Sequence, residues 1–288
     1  MHKAGFVSII GKPNVGKSTL LNAMLGQKLS IVSPKAQTTR QRIMGIINEP
    51  EYQIVFSDTP GIIDPAYPLQ EIMMNYVHQS LEDADFIILM IEPGMKEISN
   101  LEQLQALLVP LVLVINKIDT ISQEELEAIF KHWSAGFDEK NIYPVSALNN
   151  FNILPLKERI IAELPDHPPF FDKEDISDKT ERFIAAEIIR EKIFFNYKQE
   201  IPYSTEVAIT GFKEFPEIIN MTAEIFVERD SQKGIIIGNK GASIKKVGTE
   251  ARHELELFFN KKVFLETFVK VEPEWRKKKG KLRKFGYL

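Results

Sequence analysis

The chain of 288 residues has no cysteine, which removes disulfides and thiolate metal sites and suits a protein of the reducing cytosol. Histidine is scarce. The five, at positions 2, 78, 132, 167 and 253, are scattered without metal-ligand spacing and read as surface or helix-end residues. No apolar run reaches the ~18 residues that a bilayer span needs. The longest, 106–115, is interrupted by Pro110 and reads as a buried strand with its approach. The opening Met1-His2-Lys3-Ala4-Gly5 runs directly into an apolar stretch, so no signal peptide is expected. No internal repeat is visible. What is present is an ordinary globular composition, 44% hydrophobic and 26% charged, at a length that suits two domains. A net charge of −4 hides a segregation: Glu82-Asp83-Ala84-Asp85 in the first half, Arg276-Lys277-Lys278-Lys279-Gly280-Lys281-Leu282-Arg283-Lys284 at the C-terminal end. Charge alone fits an anionic partner and a solvated chain end equally well.

Up to about Leu164, β-rich runs alternate with helical stretches. Strands are expected at 5–10, 43–48, 52–58, 86–92, 111–116 and 142–145, and helices at 17–25, 69–81, 99–108, 123–137 and 154–164. Such alternation predicts an α/β domain with a mostly parallel sheet covered on both faces, over residues 1–165. Residues 164–175, with Pro165, Pro168 and Pro169 among acidic residues, lack periodicity, and 166–179 is expected as a linker. Beyond it the pattern gives a helix at 180–195, strands at 204–212 and 221–229, helix–turn–helix over 234–259 and a strand at 263–271. That is an α+β domain over 180–288 with a basic tail.

Gly11-Lys12-Pro13-Asn14-Val15-Gly16-Lys17-Ser18 joins the first strand to the first helix, where a P-loop belongs. Gly11 and Gly16 let the backbone curl until several N–H groups converge on a phosphate. Lys17 supplies a point charge beside the outer phosphates, Ser18 a hydroxyl for Mg²⁺, and Thr19 opens the helix behind them. Asp58-Thr59-Pro60-Gly61 follows the third strand, where a carboxylate can hold Mg²⁺ through water and the Gly61 N–H can reach a γ-phosphate. Asn116-Lys117-Ile118-Asp119 follows the fifth strand. Asp119 can accept the ring N–H and the exocyclic amine of guanine together, whereas adenine leaves that carboxylate without donors. Ser146-Ala147-Leu148 ends the sixth strand and is a base-edge backbone contact in this reading.

These four elements, in this order and each at a strand end, resemble the small Ras-like GTPases across the first ~165 residues. The resemblance implies a six-stranded sheet, GTP or GDP with Mg²⁺, and a mobile-loop threonine on the metal. Here that loop is Ser33-Pro34-Lys35-Ala36-Gln37-Thr38-Thr39-Arg40, with Thr39 the choice and Thr38 the alternative. The metal set is then Ser18, Thr39 and Asp58, and the catalytic set Lys17, Asn14, Thr39 and Gly61. One departure is informative: Ile62 and Ile63 stand where Ras-type proteins orient water with glutamine. Unaided hydrolysis should be slow. In related translation-type GTPases an asparagine at the position of Asn14 helps bind K⁺. Here Asn14 either does so or hydrogen-bonds its own loop.

In the second domain, Ile237-Gly238-Asn239-Lys240-Gly241 places a Gly-x-x-Gly turn between two helical stretches, with Lys245 and Lys246 beyond it. The glycines permit close approach to a sugar-phosphate chain, and Ile236, Ile237 and Ile244 would line a groove for unstacked bases. Trp275 either stacks on a base or packs the last strand, and Arg276 with the following lysines can contact phosphate. The turn and the α-β-β-α-α-β order resemble a type II KH domain, which clamps single-stranded nucleotides. Joined to the GTPase half with its Gln37-Thr38-Thr39-Arg40, and with Glu187-Ile188-Ile189-Arg190-Glu191-Lys192 and the terminal Phe285-Gly286-Tyr287, the chain resembles the Era-type bacterial GTPases over its whole length.

That resemblance implies single-stranded RNA near the 3′ end of 16S rRNA as partner and a role in 30S ribosomal subunit assembly. It also implies peripheral association with the inner membrane, for which no lipid-anchor motif or strongly amphipathic basic helix stands out. A cytoplasmic monomer is expected. Two other classes compete: an RNA chaperone with a vestigial nucleotide fold, which Lys17, Ser18, Asp58 and Asp119 argue against, and a sister-family GTPase, which the turn at 238–241 argues against.

Overall fold

The computed structural model describes residues 2–98 and 101–288. By its internal contacts the chain forms two units. The first takes residues up to Ser30, Thr39–Asp64 and Met73–Asp178; the second gathers Ile31–Thr38, Pro65–Ile72 and Lys179–Leu288.

The first unit is built on β1 (Lys3–Gly11), β2 (Ile43–Asn48), β3 (Tyr52–Asp58), β4 (Phe86–Ile91), β5 (Leu111–Ile115) and β6 (Ile142–Pro144), in the order β2-β3-β1-β4-β5-β6. All neighbours pair in parallel except β2 with β3. Every residue of β4 is buried, the continuous apolar run of a strand covered on both faces. Around the sheet run α1 (Lys17–Leu25), α2 (Pro68–Glu82), α3 (Leu101–Gln105), α4 (Gln123–Trp133) and α5 (Ile153–Glu163). The α4 start is a capping box: Ser122 Oγ accepts from the Glu125 N–H at 3.3 Å, and Glu125 Oε2 accepts from the Ser122 N–H at 2.8 Å. Of the helix expected at 99–108, residues 99 and 100 lie outside the described residues, and α3 ends early, at Gln105.

The segment expected as a linker is docked on this unit. Fully buried Gln53 on β3 accepts from the Phe170 and Phe171 N–H groups at 2.7 and 3.1 Å and donates to the Phe171 carbonyl at 2.9 Å. The Ile46 N–H of β2 donates to Ile176 O at 3.0 Å, and the Met44 N–H to Asp178 Oδ1 at 2.8 Å. Residues 176–178 thus cover a sheet edge that would otherwise present unpaired groups.

The second unit holds α6 (Glu181–Asn196), α7 (Ile201–Ser204), β7 (Glu206–Glu214), β8 (Ile218–Val227), α8 (Asp230–Ile237), α9 (Ala242–Phe259), β9 (Lys262–Val271) and α10 (Lys279–Lys284). The sheet order is β7-β8-β9, antiparallel then parallel. The helix before the Gly-x-x-Gly turn begins earlier than its apolar run suggests, because Gln232 Oε1 accepts from the Glu228 and Arg229 N–H groups at 2.9 and 3.1 Å. The basic C-terminal stretch is folded rather than frayed: Trp275, Leu282 and Tyr287 are all buried, and Tyr287 donates to Glu206 Oε2 at 2.7 Å.

Candidate functional site

The turn from β1 into α1 carries Lys12, Pro13, Asn14, Val15 and Gly16, with Asn14 and Gly16 at φ 66° and 100°. Only glycine suits the last position, since a Cβ on Gly16 would lie 2.2 Å from Asn116 Nδ2. That amide nitrogen donates to Val15 O at 2.8 Å, tying the fifth-strand motif to the loop. Lys17 is buried, and its Nζ donates to Gly11 O and Lys12 O at 3.1 and 2.9 Å. Burial lowers its pKa to about 8, against the pull of Asp58. The ammonium is therefore held by two loop carbonyls in a site whose remaining need is negative charge.

Beside the lysine, starting at the very next residue, the structure brings Ser18, Thr39 and Asp58 together. Ser18 Oγ donates to Asp58 Oδ2 at 2.7 Å and lies 3.0 Å from Thr39 Oγ1, which itself stands 3.5 Å from Asp58 Oδ2. The neighbouring Thr38 hydroxyl donates to Lys35 O at 2.8 Å, so of the two threonines Thr39 alone faces this cluster. Asp58 is fully buried, its Oδ1 has no hydrogen-bond partner, and burial raises its pKa although Ser18 and Lys17 oppose the shift. An orphaned carboxylate oxygen beside two hydroxyls is an all-oxygen set that suits Mg²⁺. Among the described residues no group of three or more His, Cys, Asp or Glu could hold a metal, so this set would need phosphate oxygens to complete it.

Thr59 is buried and donates to Ile9 O at 2.8 Å, which leaves Pro60 and Gly61 to run past the P-loop. Gly61 backs on to Pro13, and the Ile62 N–H donates to Gly11 O at 3.1 Å. The Ile62 side chain is exposed and aliphatic, with nothing to orient a water.

At the base end, Asn116 Oδ1 accepts from the Ala147 N–H at 3.0 Å, and Ser146 Oγ donates to Asp119 Oδ1 at 2.6 Å. Beside the backbone contact expected at 146–148, the Ser146 side chain fixes the Asp119 carboxylate. Leu148 is 76% exposed. Sequence reasoning missed Glu92, which directly follows β4 and pairs with Lys117 Nζ at 2.5 Å; its one signal was an acidic residue at the end of an expected strand. Lys117 adopts φ 63°, a left-handed conformation unusual for lysine.

In the second unit, α8 ends at Gly238 (φ 70°), whose Cβ would lie 2.2 Å from Ser243 Oγ, followed by Asn239, Lys240 at φ 48° and Gly241. Lys240, Lys245 and Lys246 are exposed or half-exposed, and Ile237 is half-buried. The structure bears on three of the expected residues. Ile236 is fully buried and belongs to the core, not to a groove. Trp275 is fully buried, donates its indole N–H to Ser204 O at 2.9 Å and meets Phe285 edge-on at 5.4 Å, so its face cannot stack on a base. Arg276 is engaged by both oxygens of Glu228, at 3.2 and 2.5 Å, and stands 5.2 Å from the Tyr67 ring, so its charge is already matched.

Residues 6–117 match the family model of the 50S ribosome-binding GTPases, and residues 200–276 match that of the KH domain. The chain is 43% identical to the GTPase Era of Ruminiclostridium cellulolyticum over 99% of this chain and 98% of that protein. To the GTPase Era of Geotalea daltonii it is 45% identical, over 99% of this chain and 97% of that protein. Among solved structures, Era in complex with MgGDPNP and nucleotides 1506–1542 of 16S ribosomal RNA superposes with a TM-score of 0.93 at 42% identity, covering 100% of this chain and 99% of the other. A point variant of Aquifex aeolicus Era bound to GDP·AlF4⁻ superposes equally well, at 0.93 and 42% identity, covering 99% of each chain.

Proposed function

The chain belongs to the Era family of GTPases, and on that premise we propose how its residues bind and hydrolyse GTP and what the switch controls. The observation that carries the reading is the Ser18–Thr39–Asp58 cluster that begins at the residue after the P-loop lysine, in the same unit as an Asp119 held by Ser146. Backbone amides of 11–18 cradle the phosphates, and Lys17 releases its loop carbonyls to meet the outer ones. Ser18 and Thr39 hold Mg²⁺ directly and Asp58 holds it through water. When bound, the metal neutralises charge on the phosphate oxygens. Asp119 accepts from guanine and rejects adenine, because a carboxylate without its donors loses its hydrogen bonds. With Ile62 unable to orient water, we assign the missing electrostatics to K⁺ held by Asn14. Turnover in KCl should exceed that in NaCl at equal ionic strength, and equal rates would remove Asn14 from this role.

Residues 1–165 do the nucleotide chemistry, 166–179 connect, and 180–288 bind RNA through the turn at 238–241. The structural relative bound to nucleotides 1506–1542 of 16S rRNA supports the 3′ end of that RNA as the ligand, and hence the 30S subunit as the wider partner. The reading includes a monomer. No helix among the described residues is long and apolar enough to cross a membrane. For peripheral contact with the inner membrane, the exposed Lys277, Lys278, Lys279, Arg283 and Lys284 are the groups an anionic surface would meet. Crosslinking the protein to total RNA with GTP or GDP bound tests the substrate. Enrichment of the 16S 3′ end in the GTP state is expected, and its absence there would overturn the assignment.

A further inference from the structure

The run Glu187 to Lys192 has no part in the reading above, yet it buries three ionisable side chains: Glu187, Arg190 and Glu191 are 8%, 1% and 1% exposed. Burying such groups is costly unless partners return the lost hydration, so what they hold matters. Inside the second unit they hold the segment 31–38. Glu191 Oε1 accepts from the Val32 N–H at 2.9 Å. Lys35 Nζ donates to the Phe194 and Tyr197 carbonyls, where α6 ends and its dipole favours a cation. Arg190 Nη2 donates to Thr38 O at 2.7 Å, while Arg190 is itself clamped by Glu187, with Nε on Oε1 at 2.6 Å. The segment is thus gripped at its start, middle and end by a single helix.

The next residue is Thr39, whose hydroxyl lies 3.0 Å from Ser18 Oγ inside the first unit. One peptide bond separates a carbonyl held by a buried guanidinium from the hydroxyl assigned to Mg²⁺. A loop left free would surrender backbone entropy each time it closed on the nucleotide. We propose that Arg190 is a positioning residue of the GTPase site: by holding the Thr38 carbonyl it sets the Thr39 hydroxyl toward Ser18 and Asp58, and so strengthens Mg²⁺–GTP binding relative to GDP. This rests on the assignment of Thr39 to the metal. Substituting arginine by lysine would keep the charge beside Glu187 but lose the planar fork that reaches two acceptors at once. The alternative is that Arg190 only satisfies the core of the second unit.

The test uses the full chain and equilibrium binding of fluorescent GDPNP and GDP over a Mg²⁺ titration. The variants are Arg190→Lys, Arg190→Met paired with Glu187→Gln so that no buried charge is stranded, Thr39→Ala, and Thr39→Ala combined with each. Thermal unfolding, together with RNA binding by the turn at 238–241, checks that the second unit is intact. Both Arg190 replacements should weaken Mg²⁺–GDPNP about tenfold and leave GDP within about twofold. In the Thr39→Ala background they should add almost nothing, because the two residues act through one contact. Equal weakening of both nucleotides, or full additivity with Thr39→Ala, would overturn the proposal. So would loss of fold in the double replacement with unchanged nucleotide preference in Arg190→Lys. If Thr39→Ala alone leaves Mg²⁺–GDPNP unaffected, the metal assignment fails first and the role of Arg190 with it.

Discussion

The proposed nucleotide site and the Gly-x-x-Gly turn both place glycine at positive φ in a tight turn, but they are built to opposite designs. At the first, Lys17, Asp58, Thr39 and Asn116 are buried and hydrogen-bonded to one another or to the loop before any ligand is considered. At the second, Lys240, Lys245 and Lys246 reach solvent from a turn whose backbone alone is constrained. A buried polar site can discriminate, because a wrong ligand strands desolvated groups. A solvent-facing cationic turn tracks a flexible strand at modest cost and gains affinity chiefly from counterion release.

The largest effect that would sharpen this contrast comes from Lys17→Met. Removing the buried cation of the phosphate cradle should weaken GTP by about a hundredfold or more and abolish measurable turnover, leaving RNA affinity measured without nucleotide intact in a filter-binding assay. Gly238→Asp should do the reverse. An L-residue there is strained at φ 70° and collides with Ser243, and the added carboxylate repels phosphate, so RNA affinity should fall by about ten- to a hundredfold with GTP turnover unchanged. If either variant crippled both activities, the two sites would not be independent designs.

A smaller effect separates them by pH. The Lys17 ammonium has its pKa lowered to about 8 in the nucleotide-free protein, and phosphate must raise it again. Nucleotide affinity should therefore be full below pH 8 and fall as pH rises through that value, with proton uptake visible by calorimetry in buffers of different ionisation enthalpy. The same residue acts oppositely on folding. Between about pH 8 and its ordinary value of 10.5 the unfolded chain binds the extra proton, so the empty protein gains stability from Lys17 as pH rises. RNA binding at the turn 238–241, which does not involve Lys17, should not follow that pH dependence. Smallest of all, Lys240→Ala should weaken RNA binding only a few-fold and reduce the salt slope by about one.

Much of the fold was legible because its signals are local. The alternation of strands and helices, the glycine-bearing turn at 11–18 and the motifs closing β3 and β5 are properties of neighbouring residues, and the sheet that forms around them has the expected strands. The turn at 238–241 was readable for the same reason, since φ-positive glycines and flanking lysines are contiguous. Less legible were the short α7 and α10, which lack a periodic run, and the docked segment 166–178. The prolines there advertise a linker, while buried Gln53 and the edge of β2 capture it.

Read alone, the sequence pointed to phosphate, guanine and an RNA strand as expected ligands, because the donors and acceptors for each sit within a few residues of one another. Tertiary structure alone decided which of Thr38 and Thr39 meets Ser18, and that Trp275 is core rather than platform. It also decided that a guanidinium 152 positions away, at Arg190, holds the Thr38 carbonyl. These choices turn on burial and on partners distant in the chain. The free energy of a polar or aromatic group depends on what surrounds it after folding, and no contiguous stretch of residues encodes that.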